Sequence, residues 1–232
     1  MDVKEEALLG GTVDQHWYYR SKRLALDSML HGISCRRVLD IGAGSAVFSK
    51  HLLDRGAASA VCVDPGYPVE RSELHDGKPI RFVRDVVPCD ADLVLLMDVL
   101  EHVDNDVQLI TSSLAGAARG ALALVSVPAF QSLFSAHDRF LEHRRRYSVR
   151  SLEAIVRAAG LEIVSTRYFF AFVLPLVALV RVFQRNGPAR SSLVRHSRLM
   201  NTLLTLAHRI ELPVFRYNRV AGLSIFCLAR LP

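Results

Sequence analysis

An aspartate followed by two closely spaced glycines is the part of the sequence best suited to hold a small charged ligand. Asp40 stands two residues before Gly42, and Gly44 follows. Glycines tolerate left-handed backbone angles, so the chain can turn sharply here and approach a ligand closely. The apolar residues 38–41 predict a buried strand before the turn, and the spacing after it predicts a helix whose free N–H groups face the ligand.

The charge of Asp40 narrows the class of cofactor. A carboxylate at this position would repel a pyrophosphate, but it would attract a ligand that carries an ammonium and a sulfonium group. The dinucleotide fingerprint also has a small residue three positions after its second glycine, whereas this chain has Val47 there. Both features argue against a nicotinamide oxidoreductase, which stays a distant alternative.

The segment VLDIGAGSAVF resembles the first motif of the class I S-adenosylmethionine-dependent methyltransferases. The sequence departs from that motif at Ala46, where the family often has glycine. The resemblance extends over residues 36–161 in four ordered motifs, and agreement of all four is stronger evidence than any one. It implies S-adenosyl-L-methionine as the cofactor and S-adenosyl-L-homocysteine as the product.

Further carboxylates follow the next predicted strands. Asp64 ends the second strand about 20 residues beyond the glycine turn, where a carboxylate can accept both ribose hydroxyls. Asp85 ends the third strand and, in the resembled family, lies beside the adenine amino group. Each aspartate taken alone could be ordinary turn or loop chemistry. The predicted cofactor-binding residues are Asp40, Gly42, Ala43, Gly44, Asp64, Pro65, Asp85, Val86, Asp98 and Val99.

The loop between the fifth strand, which stops at Pro128, and a helix that starts near Ser148 carries candidates for acceptor chemistry. Histidine can take a proton near neutral pH, and methyl transfer to oxygen needs such a base. The candidate bases are His137, His143 and His102, and the candidate acceptor-binding residues are His16, Tyr19, Arg144 and Tyr147. The alternative is that the histidines bond backbone groups and that residues 144–146 are a solvated basic segment.

No metal site is predicted. A set made of His137, Asp138 and His143 is conceivable, but its spacing matches no familiar ligand pattern. Likewise, Glu101 and His102 after the fourth strand could be a helix-start carboxylate and a surface histidine.

The alternation of strand and helix patterns predicts an α/β fold with a doubly wound, seven-stranded mixed sheet. We expect one domain over residues 1–232. Within it, residues 1–34 form an N-terminal helical cap, or lid, residues 35–168 the cofactor-binding core, residues 169–219 an apolar and basic helical insertion, and residues 220–232 the final strand.

The insertion is the most unusual segment. Its first apolar run is too short to span a bilayer and is interrupted by Pro175. A turn-rich stretch, residues 184–192, follows. A helical stripe comes next, formed by Leu199, Leu203, Leu206, Ala207 and Ile210. These helices could pack on their own domain, form a homodimer contact, cover an apolar acceptor, or lie on a membrane surface, with residues 169–210 as the contact.

Composition fits one enzyme domain. The chain has 232 residues, 50% of them hydrophobic, and its four cysteines are scattered without a close pair. Scattered cysteines are typical of reduced core thiols, and the charged start of the chain lacks an apolar run, so no signal peptide is expected. These features predict a cytoplasmic protein, and the alternative is peripheral contact at the inner membrane face.

The net charge of +6 permits nucleic-acid binding, but no recognised nucleic-acid module accompanies the arginines. The prediction is therefore a methyltransferase that acts on a small-molecule or lipid-like acceptor, at oxygen in preference to nitrogen or carbon. The alternatives are a nucleic-acid or protein methyltransferase, and a non-catalytic protein that binds S-adenosylmethionine.

Overall fold

The computed structural model describes residues 10–184 and 196–232. The predicted absence of a signal peptide rests on the first nine residues, and most of the predicted turn at 184–192 falls in the second gap. Both lie outside the described residues.

An eight-stranded sheet in the order β3-β4-β2-β1-β5-β6-β8-β7 forms the centre of the fold. Strands β1, β2, β4, β5 and β6 run parallel to one another, while β3 pairs antiparallel with β4, and β8 pairs antiparallel with both β6 and β7. The strands are β1 (Arg37–Ile41), β2 (Ser59–Val63), β3 (Arg71–His75), β4 (Lys78–Val83), β5 (Leu93–Met97), β6 (Leu122–Pro128), β7 (Glu162–Phe169) and β8 (Ser224–Arg230).

Helices cover both faces of the sheet, because the central strands β5 and β6 are buried and apolar on both sides. One core joins Val38 of β1 to the helices before and after it, and the other joins Leu39 to the helices after β5 and β6. The helices are α1 (Trp17–Met29), α2 (Val47–Asp54), α3 (Asp106–Ser113), α4 (Ala136–Phe140), α5 (Val149–Ala158), α6 (Leu174–Gln184) and α7 (Arg198–Phe215). The predicted α/β class is confirmed.

The strand count of seven was wrong by one, because β3 is an added edge strand. It pairs with β4 across a two-residue turn at Asp76 and Gly77, whose φ angles are 49° and 77°. Positive φ at both positions is the geometry of a tight hairpin turn, for which Asp-Gly is a preferred sequence. The strand is mostly exposed, so it has no apolar alternation by which it could be predicted.

Pro175 does not interrupt its apolar segment as the sequence suggested. It is the second residue of α6, where the helix has no internal partner for a backbone N–H and a proline removes nothing. No helix in the described part of the chain has the length and hydropathy needed to cross a membrane.

Helix α7 packs against the N-terminal helix α1, and aromatic rings fill the contact. Trp17 stacks on His208 with ring centroids 5.4 Å apart, and Tyr18 stacks on Phe170 at the same separation. The Trp17 backbone N–H also donates to Asn201 at 3.0 Å. Helix α7 and residue Phe170 therefore pack directly on the N-terminal helix α1.

Candidate functional site

The glycine turn joins β1 to α2 with three left-handed residues. Gly42, Gly44 and Ala46 have φ angles of 64°, 50° and 60°. Ala46 adopts this conformation without being glycine, which explains why a glycine is usual at this position of the motif. The Ala43 N–H donates to the Val63 carbonyl at 3.1 Å, so the turn is tied to the end of β2.

Asp40 lies buried beneath this turn. The Ser49 hydroxyl of α2 donates to its carboxylate at 2.7 Å. Burial raises the pKa of Asp40 to about 6, and the bond from Ser49 opposes that rise. Any cation held above the turn would favour the ionised carboxylate.

Asp64 at the end of β2 hydrogen-bonds the glycine turn, in an arrangement that we call the clasp. One of its carboxylate oxygens accepts the Gly44 N–H at 3.0 Å, and the other accepts the Gly66 N–H at 2.8 Å. Tyr67 completes the clasp, since its hydroxyl donates to the Gly44 carbonyl at 2.7 Å. Each carboxylate oxygen keeps a second lone pair for a ligand hydroxyl. The sequence prediction did not include Tyr67.

Asp85 and Val86 follow β4, with Asp85 exposed and Val86 half-buried. Asp98 and Val99 follow β5, next to β1 in the sheet. Apart from Asp40, which lies within β1, the predicted cofactor residues thus lie after adjacent parallel strands, at the edge where open α/β sheets bind ligands.

Lys22 of α1 reaches into this edge and forms a buried ion pair with Asp98. The same ammonium donates to the Ser126 hydroxyl of β6 at 2.9 Å. Burial alone would raise the pKa of Asp98, but the Lys22 charge outweighs it and holds that pKa below its ordinary value. Sequence analysis missed Lys22. It occupies an inward position of α1 between Tyr19 and Ala25, and a lysine within an apolar helical face is the pattern that could have revealed it.

Glu101, His102 and His143 come together one turn beyond Asp98. Their ligand atoms all lie within 4.8 Å of one another, and the two imidazole rings have centroids 4.8 Å apart. Burial raises the pKa of Glu101 well above its ordinary range, and the neighbouring Asp98 charge adds to that effect. Burial, followed by the nearby His143, lowers the pKa of His102 to about 4, so this imidazole is neutral at pH 7.

Asp138 lies behind His143 as the centre of a polar network. His143 Nδ1 lies 2.9 Å from one Asp138 oxygen, and the Arg146 guanidinium donates to the same oxygen at 2.7 Å. Arg181 of α6 donates to the other at 3.2 Å. Burial alone would raise the pKa of Asp138, but these partners hold it well below its ordinary value. The metal site that His137, Asp138 and His143 could form does not fit the structure, because two guanidinium groups already bond the Asp138 carboxylate.

The other predicted site residues lie in the interior of the protein. His137 is buried in α4, and burial, followed by the Arg181 charge, lowers its pKa to about 3. Tyr147 is a core residue, and burial raises its pKa. His16 caps α1 by accepting the Tyr18 N–H at 3.3 Å, and Tyr19 packs near Phe48. All four residues are buried, and their roles stay predictions.

Arg144 is engaged inside the chain. It forms an ion pair with Asp104 and donates from Nε to the His102 carbonyl at 2.8 Å, while its backbone N–H donates to the Glu101 carbonyl at 2.7 Å. These bonds fix the loop that carries His143 against the turn that carries Glu101 and His102. Binding of the acceptor by Arg144 stays a prediction.

The chain matches a protein family described as a methyltransferase domain over residues 15–166, well over half of its length. It therefore belongs to that family. No curated protein matches the sequence. The predicted resemblance to the class I S-adenosylmethionine-dependent methyltransferases, and the enzyme class that it implies, are confirmed.

Solved structures agree on the fold. An S-adenosylmethionine-dependent methyltransferase from Archaeoglobus fulgidus is 16% identical with a TM-score of 0.57, over 98% of this chain and 97% of that one. Phosphoethanolamine N-methyltransferase 2 from Haemonchus contortus is 15% identical with a TM-score of 0.58, over 100% of this chain and 60% of that one. A putative methyltransferase from Haloferax volcanii, in complex with the Trm112 activator, is 17% identical with a TM-score of 0.57, over 96% and 92%.

The buried ion pair gives a direct stability test. The Lys22→Met variant leaves Asp98 without its counter-ion, and removing one partner of a fully buried pair lowers the free energy of unfolding by about 3–5 kcal/mol. We expect a loss toward the lower end of that range, because the Asp98 side chain is 19% exposed. We expect the double variant Lys22→Met/Asp98→Asn to recover a large part of this loss, because no charge is then left unpaired. Urea unfolding of the wild type, both single variants and the double variant measures the coupling. Strictly additive losses would show that the two charges do not depend on each other.

Proposed function

We propose that this chain transfers the methyl group of S-adenosylmethionine to a hydroxyl group of an apolar or lipid-like acceptor. The observation that carries the proposal is the clasp of Asp64 on the Gly44 turn, because it presents a carboxylate and a glycine-rich backbone at the same strand ends. The family supplies the reaction class, and the side chains near Asp98 support the choice of acceptor atom.

In this proposal the ribose hydroxyls donate to the free lone pairs of Asp64, and the adenine ring lies toward Asp85 and Val86 beside β4. The methionine part lies over the glycine turn, with the negative charge of Asp40 below it favouring the sulfonium and ammonium groups. Residues Ala43, Pro65 and Val99 line the same edge of the sheet.

The acceptor hydroxyl lies toward His102 and His143 in this proposal. Its oxygen attacks the methyl carbon, so that the O–CH₃ bond forms while the S–CH₃ bond breaks. The electron pair of that broken bond returns to sulfur, which loses its positive charge and leaves as S-adenosylhomocysteine. The hydroxyl proton must go to a base, and a neutral imidazole is suited to accept it. His143 is the better oriented candidate, because Asp138 fixes one of its ring nitrogens.

The outer face of α7 supports an apolar acceptor that is met at a membrane surface. Leu199, Leu203, Leu206, Ile210 and Val214 form a continuous stripe along this helix, and each is at least half exposed. Arg198 and Arg209 are exposed on the same helix and the exposed Arg216 directly follows it, whereas the one acidic residue of the helix, Glu211, is buried. An apolar stripe with arginines beside it is typical of a helix that lies in the interface of an anionic bilayer.

The arginine segment at residues 144–146 favours a small acceptor over nucleic acid. Each of the three guanidinium groups bonds a carboxylate within the chain, so none forms an open basic strip for phosphates.

Cofactor binding is tested with Asp64. The Asp64→Ala variant removes the expected ribose bonds and the clasp on Gly44, so we expect S-adenosylmethionine affinity to fall by about 10-fold to 100-fold. Isothermal titration calorimetry measures it, and Asp90→Ala, at an exposed site after β4, is the control. Unchanged affinity in Asp64→Ala would contradict the proposed cofactor site.

Catalysis is tested by transfer of labelled methyl from S-adenosylmethionine into a lipid and metabolite extract, with mass identification of the product. We expect an O-methylated apolar product and a loss of about 10²–10⁴-fold in turnover in His143→Ala, with cofactor affinity retained. Labelled RNA or protein would support the alternative acceptors. Cofactor binding without any labelled product would support a non-catalytic protein.

Membrane contact is tested by vesicle sedimentation. We expect the wild type to bind anionic vesicles at low salt, to lose much of that binding at high salt, and to bind neutral vesicles weakly. The double variant Leu206→Ser/Ile210→Ser should stay in the supernatant. The control Leu74→Ser removes a leucine of β3 that is more exposed than Leu206 or Ile210, and it should bind like the wild type. If the wild type never sediments and scattering shows a dimer that this double variant dissociates, the stripe is a subunit contact.

A further inference from the structure

Glu101 is a buried carboxylate without a counterpart. The residue is completely buried, and neither of its side-chain oxygens accepts a hydrogen bond from another residue of the described chain. An ionised carboxylate in such a position is strongly unfavourable unless a cation neutralises it. Lys22 bonds Asp98 and Ser126, and Arg144 bonds Asp104. Neither of these two cationic side chains bonds the Glu101 carboxylate.

His102 and His143 bring two imidazoles to the same carboxylate. The three groups can offer one oxygen and two nitrogens as ligand atoms, all within 4.8 Å of one another. Metal–ligand bonds of about 2.1 Å require such atoms to approach within roughly 4 Å, so small side-chain rotations complete the geometry.

His143 is itself held in place by Asp138. Its Nδ1 lies 2.9 Å from Asp138, which leaves Nε2 as the atom available to a ligand. A carboxylate behind a histidine is the usual arrangement around protein-bound metals, because it fixes the tautomer and the orientation of the ring. Arg144 adds rigidity by bonding the carbonyls of both Glu101 and His102.

We infer that Glu101, His102 and His143 bind a divalent transition-metal ion whose open coordination positions face the acceptor. Two imidazoles and one carboxylate suit zinc, iron, cobalt or manganese better than magnesium, which prefers an all-oxygen environment. The inference rests on the proposed function for the role of the ion. The acceptor hydroxyl binds the ion, loses its proton to solvent water, and attacks the methyl carbon as an alkoxide. With the ion bound, His102 and His143 are its ligands, so the ion takes over the part in removing the hydroxyl proton that the proposed function assigns to His143.

The test uses Co²⁺ as the probe on the purified, metal-stripped protein. We expect visible d–d absorption bands on titration with Co²⁺, and a rise in the unfolding temperature because the ion binds the folded state. Glu101→Gln keeps the size of the side chain and removes its charge, so it should fold normally. We expect Co²⁺ affinity to fall by at least about 100-fold in Glu101→Gln and in His143→Gln.

The control is His75→Asn, because His75 belongs to another group of candidate ligands, with Asp54 and Asp76, near the β3–β4 hairpin. This variant should keep the Co²⁺ bands of the wild type. Bands that persist in Glu101→Gln and disappear in His75→Asn would move the metal to the hairpin and overturn the inference, as would the absence of any bands in the wild type.

Calorimetry with S-adenosylmethionine on the same samples separates this inference from the proposed function. Cofactor binding without Co²⁺ binding rejects the metal site alone. Co²⁺ binding at Glu101 without cofactor binding rejects the proposed cofactor site and leaves the metal site standing.

Discussion

A fully buried ammonium group sets the position of the whole upper layer of this protein. The charge of Lys22 would be very unfavourable in the core without a carboxylate beside it. That carboxylate belongs to Asp98, which lies at the end of β5. Asp98 meets it with a left-handed backbone, at a φ of 57°, which an aspartate tolerates better than most residues. Helix α1 must therefore lie across the ends of β5 and β6, and the ion pair makes the N-terminal helix part of the site.

The carboxylates near this edge of the sheet are stabilised by different partners. Asp98 has the charge of Lys22, Asp138 has two guanidinium groups and His143, and Asp64 has two backbone N–H groups. Satisfied networks of this kind hold side chains in one geometry, because each bond is strengthened by the low local dielectric. Glu101 lies among these networks without a bond from another described residue, and this contrast distinguishes a carboxylate that serves the fold from one that is available to a ligand.

Local chemistry decided which features could be predicted from the sequence. The strand-turn-helix at Gly42 and Gly44 and the helix start at Ser148 follow from backbone rules that act within a few residues, and both are present. The same local rules explain why the aspartates could be assigned to the ends of adjacent strands. Strand β3 was missed because an exposed hairpin edge has no apolar period, although Asp76-Gly77 could have indicated its turn.

The parts that could not be predicted depend on contacts between distant segments. Lys22 and Asp98 are separated by 76 positions, and Arg181 reaches Asp138 across 43. Arginines 144–146 show the same limit, since a basic run has the same sequence whether it faces phosphate or bonds Asp104, Asp106 and Asp138. Only the folded chain distinguishes those two states.

Helix α7 connects the outer surface to this edge of the sheet. On its inner side, Glu211 accepts the Ala171 N–H at 2.7 Å and bonds His208, whose ring stacks on Trp17. Trp17 begins α1, and Lys22 of the same helix holds Asp98. The apolar stripe and the buried ion pair are therefore joined through one continuous set of packed and hydrogen-bonded groups. A partner that displaces α7 must either break the Trp17 stack or move α1, and moving α1 exposes the Lys22 ammonium. Because both outcomes are unfavourable, any surface that binds the stripe meets a helix already fixed relative to the site.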